Sequence, residues 1–254
     1  VEGRPWANRV LGYANFYACE GCHLPLIDGW LIDHNPRMQE AFRAHLVAKY
    51  GTLEALRAAY RDEKATPESI ALPREVLRAS APEASRSLYW QAGPAHQAFR
   101  DYMECRQALF HKRLIQVTQA TRGAAGRDVL IMFDAIKQTM MGWNNPGFFN
   151  KGVSWNPYFP DLYLGTGSSG TAPLFDMPGF SGLITPHDYQ ARGIGGVYEP
   201  EGIVDTCVLR GKYFFCEMDT RTWGEKNNSI GRARNLREFE AITWRNFAAS
   251  FTRG

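Results

Sequence analysis

What the 254-residue chain lacks narrows its class first. No apolar run approaches the ~18 residues that cross a membrane as a helix, so no membrane partner is expected. No excess of one charge is present: 29 Lys and Arg stand against 26 Asp and Glu, a net charge of +3. A protein that grips nucleic acid by bulk charge is far more basic, so no nucleic-acid partner is expected either. Five cysteines are an odd count, and few for a disulfide framework in a chain this long. There is no initiator Met and no basic stretch leading into an apolar one, so no targeting signal is read and the compartment stays open. The chain is expected to be a processed or truncated piece of something longer. No internal repeat and no linker divides it, so residues 1–254 are read as one domain or a segment of one.

Aromatic residues are abundant: 15 Phe, 7 Trp and 11 Tyr, beside 24 Gly and 14 Pro. This combination favours long, shaped loops over plain helical packing. A carbohydrate site wants that composition, as does any deep cleft. The hydrophobic share of 44% and charged share of 22% are those of an ordinary globular protein with a sizeable core.

Val10 to Ala18 (VLGYANFYA) is apolar and aromatic and reads as a buried strand. Asn35-Pro36 opens a helix carrying Phe42, Leu46 and Tyr50 at helical spacing, and Gly51 ends it. Leu53, Leu56 and Tyr60 mark a second, short helix. His96 to Thr121 reads as a long amphipathic helix with Phe99, Met103, Phe110, Leu114 and Val117 on its apolar face. Asp128 to Asp134 (DVLIMFD), Phe180 to Thr185 and Lys212 to Cys216 read as further strands. Ser229 to Phe251 reads as a closing helix with Leu236, Phe239, Ile242 and Phe247 on one side. Residues 137–180 are aromatic, Gly-rich and aperiodic, and a loop that long is seldom unused. Trp143 within it is a candidate substrate-binding residue.

Strands alternating with helices argue an α/β fold with a parallel sheet or barrel. Polar residues follow the strand ends: Glu20, Asp134, His187 to Arg192, and Glu217 to Arg221. Chemistry collects at the carboxyl ends of strands in such folds. Glu20 and Glu217 follow strands directly, and glycoside hydrolysis needs two carboxyl groups from separate elements. If the segment after Glu217 is extended, Glu217, Asp219 and Arg221 share a face. An Arg there keeps a neighbouring carboxylate ionised. His187 alone in a loop reads as polar surface. Cys19-Glu20-Gly21-Cys22-His23 matches the attachment motif for c-type haem, and the same side chains are those of a zinc site. The plainer reading is two free thiols, with no cofactor and no metal. Arg232, Arg234 and Arg237 read as the solvated face of the last helix.

Two blocks of these residues resemble a known family. Asn35-Pro36, Phe42-Arg43, Lys49-Tyr50-Gly51-Thr52-Leu53, Ala55-Leu56 and Ala59-Tyr60 are similar to the segment after the acid/base strand of family 42 β-galactosidases and their relatives. Thr185-Pro186-His187-Asp188-Tyr189 to Arg192, then Gly195-Gly196, Gly211-Lys212 and Glu217-x-Asp219-x-Arg221-Thr222, are similar to a later segment of that group. The resemblance implies a clan A glycoside hydrolase with a (β/α)8 TIM barrel, of which strands four to seven are recognisable. It implies a retaining mechanism on a β-linked galactoside or similar glycan, with Glu20 as acid/base and Glu217 as nucleophile, about 5–5.5 Å apart. Tyr189 and Arg192, after the sixth strand, join Asp219, Arg221 and Trp143 as expected substrate-binding residues. Because a barrel needs eight strands, the rest are expected from a longer chain or from another chain, as in a homo-oligomer. A haem or metal protein on Cys19, Cys22 and His23, or a non-catalytic carbohydrate-binding relative, stands as the alternative.

Overall fold

The computed structural model describes residues 1–15, 33–73, 96–134, 172–187, 192–198, 200, 203–224 and 231–253. Among these the fold is mixed α/β around a four-stranded parallel sheet. Strands β1 (Gly12–Asn15), β2 (Leu130–Asp134), β3 (Gly182–Pro186) and β4 (Tyr213–Glu217) lie side by side in chain order. All three pairings are parallel. Nothing in this order reverses the winding, as a doubly wound sheet would. Helices α1 (Pro36–Tyr50), α2 (Leu53–Tyr60) and α3 (Gln97–Ala125) fall between β1 and β2. The short α4 (Ala172–Phe175) and α5 (Val204–Leu209) precede β3 and β4, and α6 (Leu236–Thr252) follows.

Two compact units divide the chain. The first takes residues 1–21, 115–141 and 171–254, and the second takes 22–114 and 142–170. In the first, partners in register share a face of the sheet. Ile131, Phe133, Leu183 and Thr185 make one buried face. Phe180 stacks on Phe133 at 5.7 Å and meets Phe175 edge-on at 5.9 Å. Met132, on the opposite face, is buried too. The continuous apolar run of β2 therefore reflects cover on both sides. On β4, by contrast, Tyr213 and Phe215 are 58% and 48% exposed. Two glycines let the strands approach. A Cβ on Gly12 would lie 2.3 Å from the Leu130 carbonyl oxygen, and one on Gly182 would lie 2.0 Å from that of Tyr213. No side chain fits there without moving a neighbouring backbone.

The second unit is helical among its described residues. Met38, Phe42 and Leu46 repeat every four residues along α1 and bury with Leu56 of α2 and Phe99, Tyr102 and Met103 of α3. Asn35 caps α1 by accepting from the Arg37 N–H, with Pro36 at the first helical position, and Thr52 caps α2 from the Ala55 N–H. Gly51 ends α1 at φ +71°, where only glycine is unstrained.

Two helix boundaries differ from the sequence expectation. Helix α3 continues past Thr121 and Gly123 to Ala125, where Gly126 at φ +65° provides the stop. Helix α6 begins at Leu236, because Asn235 accepts from the Glu238 N–H at 3.0 Å and fixes the start there. Its expected apolar side is only partly used: Ile242 is buried, while Leu236 and Phe247 are exposed along with Trp244 and Phe251. Arg232 and Arg234 precede this helix rather than ride on it. The short helices α4 and α5 carry no periodicity long enough to read. Cys105 and Cys207 are buried free thiols, each pushed by burial up to about 11.

Candidate site at the ends of strands β3 and β4

Pro186 and Glu217 are register partners, so the carboxyl ends of β3 and β4 lie level with one another. Glu217 closes β4 and is exposed. His187 follows β3. It is not polar surface, as the sequence suggested, but 1% exposed. The chain returning through Tyr198 covers it: His187 bridges to Pro200 in antiparallel fashion, and its ring centroid is 5.9 Å from that of Tyr198. Burial holds this imidazole below its ordinary range, and the charges of Arg192 and Arg245 add to the effect. The Glu217 main chain and Asp219 act in the opposite sense.

Past Glu217 the strand alternation stops. The Asp219 N–H donates to the Glu217 carbonyl at 3.1 Å and the Thr220 N–H to that of Met218 at 2.9 Å. These are successive three-residue turns. Asp219 and Arg221 nonetheless come together, by turning rather than by sharing a strand face. The Asp219 carboxylate accepts from Arg192 Nη1 at 3.1 Å and pairs with Arg221 Nη2 at 3.2 Å, both through Oδ2. Arg192 also donates to the Asp219 carbonyl at 3.2 Å, and only 3% of its side chain is exposed. Both guanidiniums thus reach the Asp219 carboxylate.

Of the residues expected at a site, Arg192, Glu217, Asp219 and Arg221 therefore belong to one strand-end cluster. Glu20, Tyr189 and Trp143 lie outside the described residues, as do Cys19, Cys22 and His23. Among the described residues, no group of three His, Cys, Asp or Glu side chains is placed to hold a metal ion. No described helix is long and apolar enough to cross a membrane.

Sequence reading missed three contributors. Arg245 and Asn246 reach the site from α6, and Gly231 at φ +75° lies against Arg192, where a Cβ would come 2.4 Å from the Arg192 Cγ. The one available signal was Asn246 itself, since asparagine is a poor choice inside a helix unless its amide has work to do. Comparison with models of protein families, with curated proteins and with solved structures gave no match.

The arrangement offers an exposed carboxylate beside a second carboxylate clamped by two guanidiniums and backed by a buried imidazole. Such a set can attack an electrophilic carbon, accept a proton, or hold hydroxyl groups of a polar ligand.

Proposed function

We propose that the chain is a glycoside hydrolase of the family 42 type, acting on a β-linked galactoside or similar glycan with retention of configuration. The carrying observation is Glu217, an exposed carboxylate closing a parallel strand, level with the end of β3 and next to the Arg192–Asp219–Arg221 cluster. The winding supports it, because four parallel strands neighbouring in chain order are how consecutive strands of a (β/α)8 barrel lie. In this reading β1 to β4 are strands four to seven of the barrel.

Glu217 attacks the anomeric carbon, and the glycosidic oxygen leaves with a proton from Glu20. Glu20 then deprotonates the water that cleaves the glycosyl–enzyme ester and returns Glu217 as the carboxylate. The assignment of Glu20 rests on its position in the sequence. Arg192 and Arg221 keep positive charge where that carboxylate reforms, and Asp219 fixes them there.

A nitrophenyl β-galactoside assay tests the reading. Glu217→Gln is expected to lower turnover by roughly 10⁴-fold or more while sugar binding persists. Glu20→Gln is expected to spare substrates whose leaving group departs without an acid. Unchanged turnover in Glu217→Gln removes it as nucleophile. Sugar binding without turnover by the wild type favours the carbohydrate-binding relative instead.

A further inference from the structure

We propose that Arg245 and Asn246 are positioning residues for the strand-end site, tying the loop after β3 to the turn after β4 so that Arg192 meets Asp219. A guanidinium carries five N–H bonds. In Arg245 all five are engaged. Nη1 donates to the carbonyls of Gly193 at 2.7 Å and Gly196 at 2.8 Å. Nη2 donates to the Arg192 carbonyl at 3.0 Å and to Asn246 Oδ1 at 2.9 Å, and Nε donates to the same Oδ1 at 3.1 Å. Asn246 is fully buried, and its Nδ2 reaches Thr220 Oγ1 at 3.4 Å. One end of the pair thus holds the loop at residues 192–196, and the other holds the turn that carries Asp219.

Arg192 is fixed at three points as a result. Its carbonyl is held by Arg245, its stem lies against Gly231, and its tip pairs with Asp219. The four acceptors of Arg245 are all neutral. Desolvating a cation against neutral carbonyls costs more than burying a neutral side chain of similar reach. Simple loop packing does not require that cost, whereas placing a second guanidinium does. Lysine cannot replace this residue, since it has three donors and no planar fork.

The kinetic part of this inference rests on the glycosidase reading; the coupling part does not. The test is a set of double-variant cycles on Arg245→Lys, Arg192→Ala and Asp219→Asn. In the aryl galactoside assay, Arg245→Lys is expected to lower kcat about tenfold with KM within about twofold, and to add little once Arg192 is alanine. In urea unfolding, Arg245→Lys and Asp219→Asn, which share no bond, are expected to deviate from additivity by at least about twofold in the unfolding constant. That coupling should vanish in the Arg192→Ala background. Should Arg245→Lys not fold, Asn246→Ser, which keeps the guanidinium, takes its place in the same cycles. Additive effects in the unfolding cycle overturn the inference. A wild type without glycosidase activity overturns the catalytic reading alone, and the unfolding cycle still decides the positioning.

Discussion

Among the described aspartates that pair with cations, Asp101 and Asp219 differ most in their surroundings: one is enclosed within the fold, the other half-open at a strand end. Asp101, in the helical unit, has no exposed side-chain surface. Its Oδ1 accepts from Lys49 at 2.8 Å and Gln97 at 2.9 Å, and its Oδ2 from Tyr50 at 2.9 Å and Tyr60 at 2.7 Å. A carboxylate has about four acceptor positions, and here all are filled. Nothing remains for a ligand. Asp219 keeps 21% of its side chain exposed, takes both its pairs on Oδ2, and stands two residues from an exposed carboxylate. The first is saturated from four directions by three helices. The second is clamped from one side by two loops. Saturation marks a structural node, and partial clamping beside solvent marks a place where chemistry can happen.

The largest expected effect breaks the node. Asp101→Ala leaves a partly buried ammonium and three polar side chains without their shared acceptor. We expect a loss of about 3–5 kcal/mol in urea unfolding, the range for removing one partner of a buried pair. Glu217→Gln, at an exposed strand end, is expected to stay within about 0.5 kcal/mol of wild type. Equal losses in the two would erase the distinction drawn here. Gly182→Ala comes next. Its methyl would meet the Tyr213 carbonyl at 2.0 Å, so β3 and β4 must part. Overpacking of this kind costs roughly 1–3 kcal/mol, and here it also misaligns Pro186 and Glu217. A variant with wild-type stability would show that the strands need not lie so close.

The same contrast explains what could be read without the structure. Helices α1 to α3 announce themselves through Phe42–Leu46–Tyr50, Leu53–Leu56–Tyr60 and Phe99–Met103, and the limits of α1 through Asn35, Pro36 and Gly51. β2, β3 and β4 announce themselves as short apolar runs with polar residues just beyond. The strand-end position of Glu217 was legible for that reason. The geometry around it was not. Asp219 is placed by two consecutive tight turns that have no residue signature. His187 is buried by a bridge to Pro200, thirteen residues on, a contact between loops that no periodicity encodes. Arg245 was not singled out at all, because three of its four acceptors are main-chain carbonyls, which sequence pattern does not reveal.

Titration gives a smaller, two-sided test. Burial holds His45, His111 and His187 below the ordinary imidazole value. Between their folded values and about 6.5 the unfolded chain binds more protons, so stability falls as pH drops below about 6.5. At the alkaline end the node acts. Burial opposes the Lys49 ammonium, but Asp101 and Glu104 outweigh it and push it up to about 12. Burial and the Asp101 carboxylate push the Tyr50 hydroxyl up to about 12 as well. Both groups lose protons more readily when unfolded, so stability falls as pH rises above about 10. Asp101→Asn is expected to weaken the alkaline limb and, because Asp101 partly offsets the burial of His45, to steepen the acid limb slightly, while His187→Asn softens only the acid limb. Urea midpoints at about pH 5, 7 and 10.5 check both; an alkaline limb unchanged in Asp101→Asn would detach it from the node.

The smallest expected effects come from two helix caps, one in each unit. Asn35 accepts from the Arg37 N–H at 2.9 Å at the start of α1, and Asn235 from the Glu238 N–H at 3.0 Å at the start of α6. Replacing either by alanine is expected to cost about 1 kcal/mol, the usual value of a lost cap. The comparison lies in what each helix carries. Asn35 opens the helix that ends in Lys49 and Tyr50, both on Asp101, whereas Asn235 opens the helix that carries Arg245 and Asn246. Fraying from a lost cap fades within the first turn or two, and Arg245 stands ten residues from Asn235. Glu238 also accepts from the Arg234 main-chain N–H at 2.8 Å, so the start of α6 keeps a second tie when Asn235 is lost. Asn235→Ala is therefore expected to lower the unfolding midpoint no more than Asn35→Ala does, and on the glycosidase reading aryl galactoside turnover is unchanged in both. A fall in turnover for Asn235→Ala alone would mean that α6 transmits its end to the site as a rigid rod. The positioning role would then belong to the whole helix rather than to the Arg245–Asn246 pair.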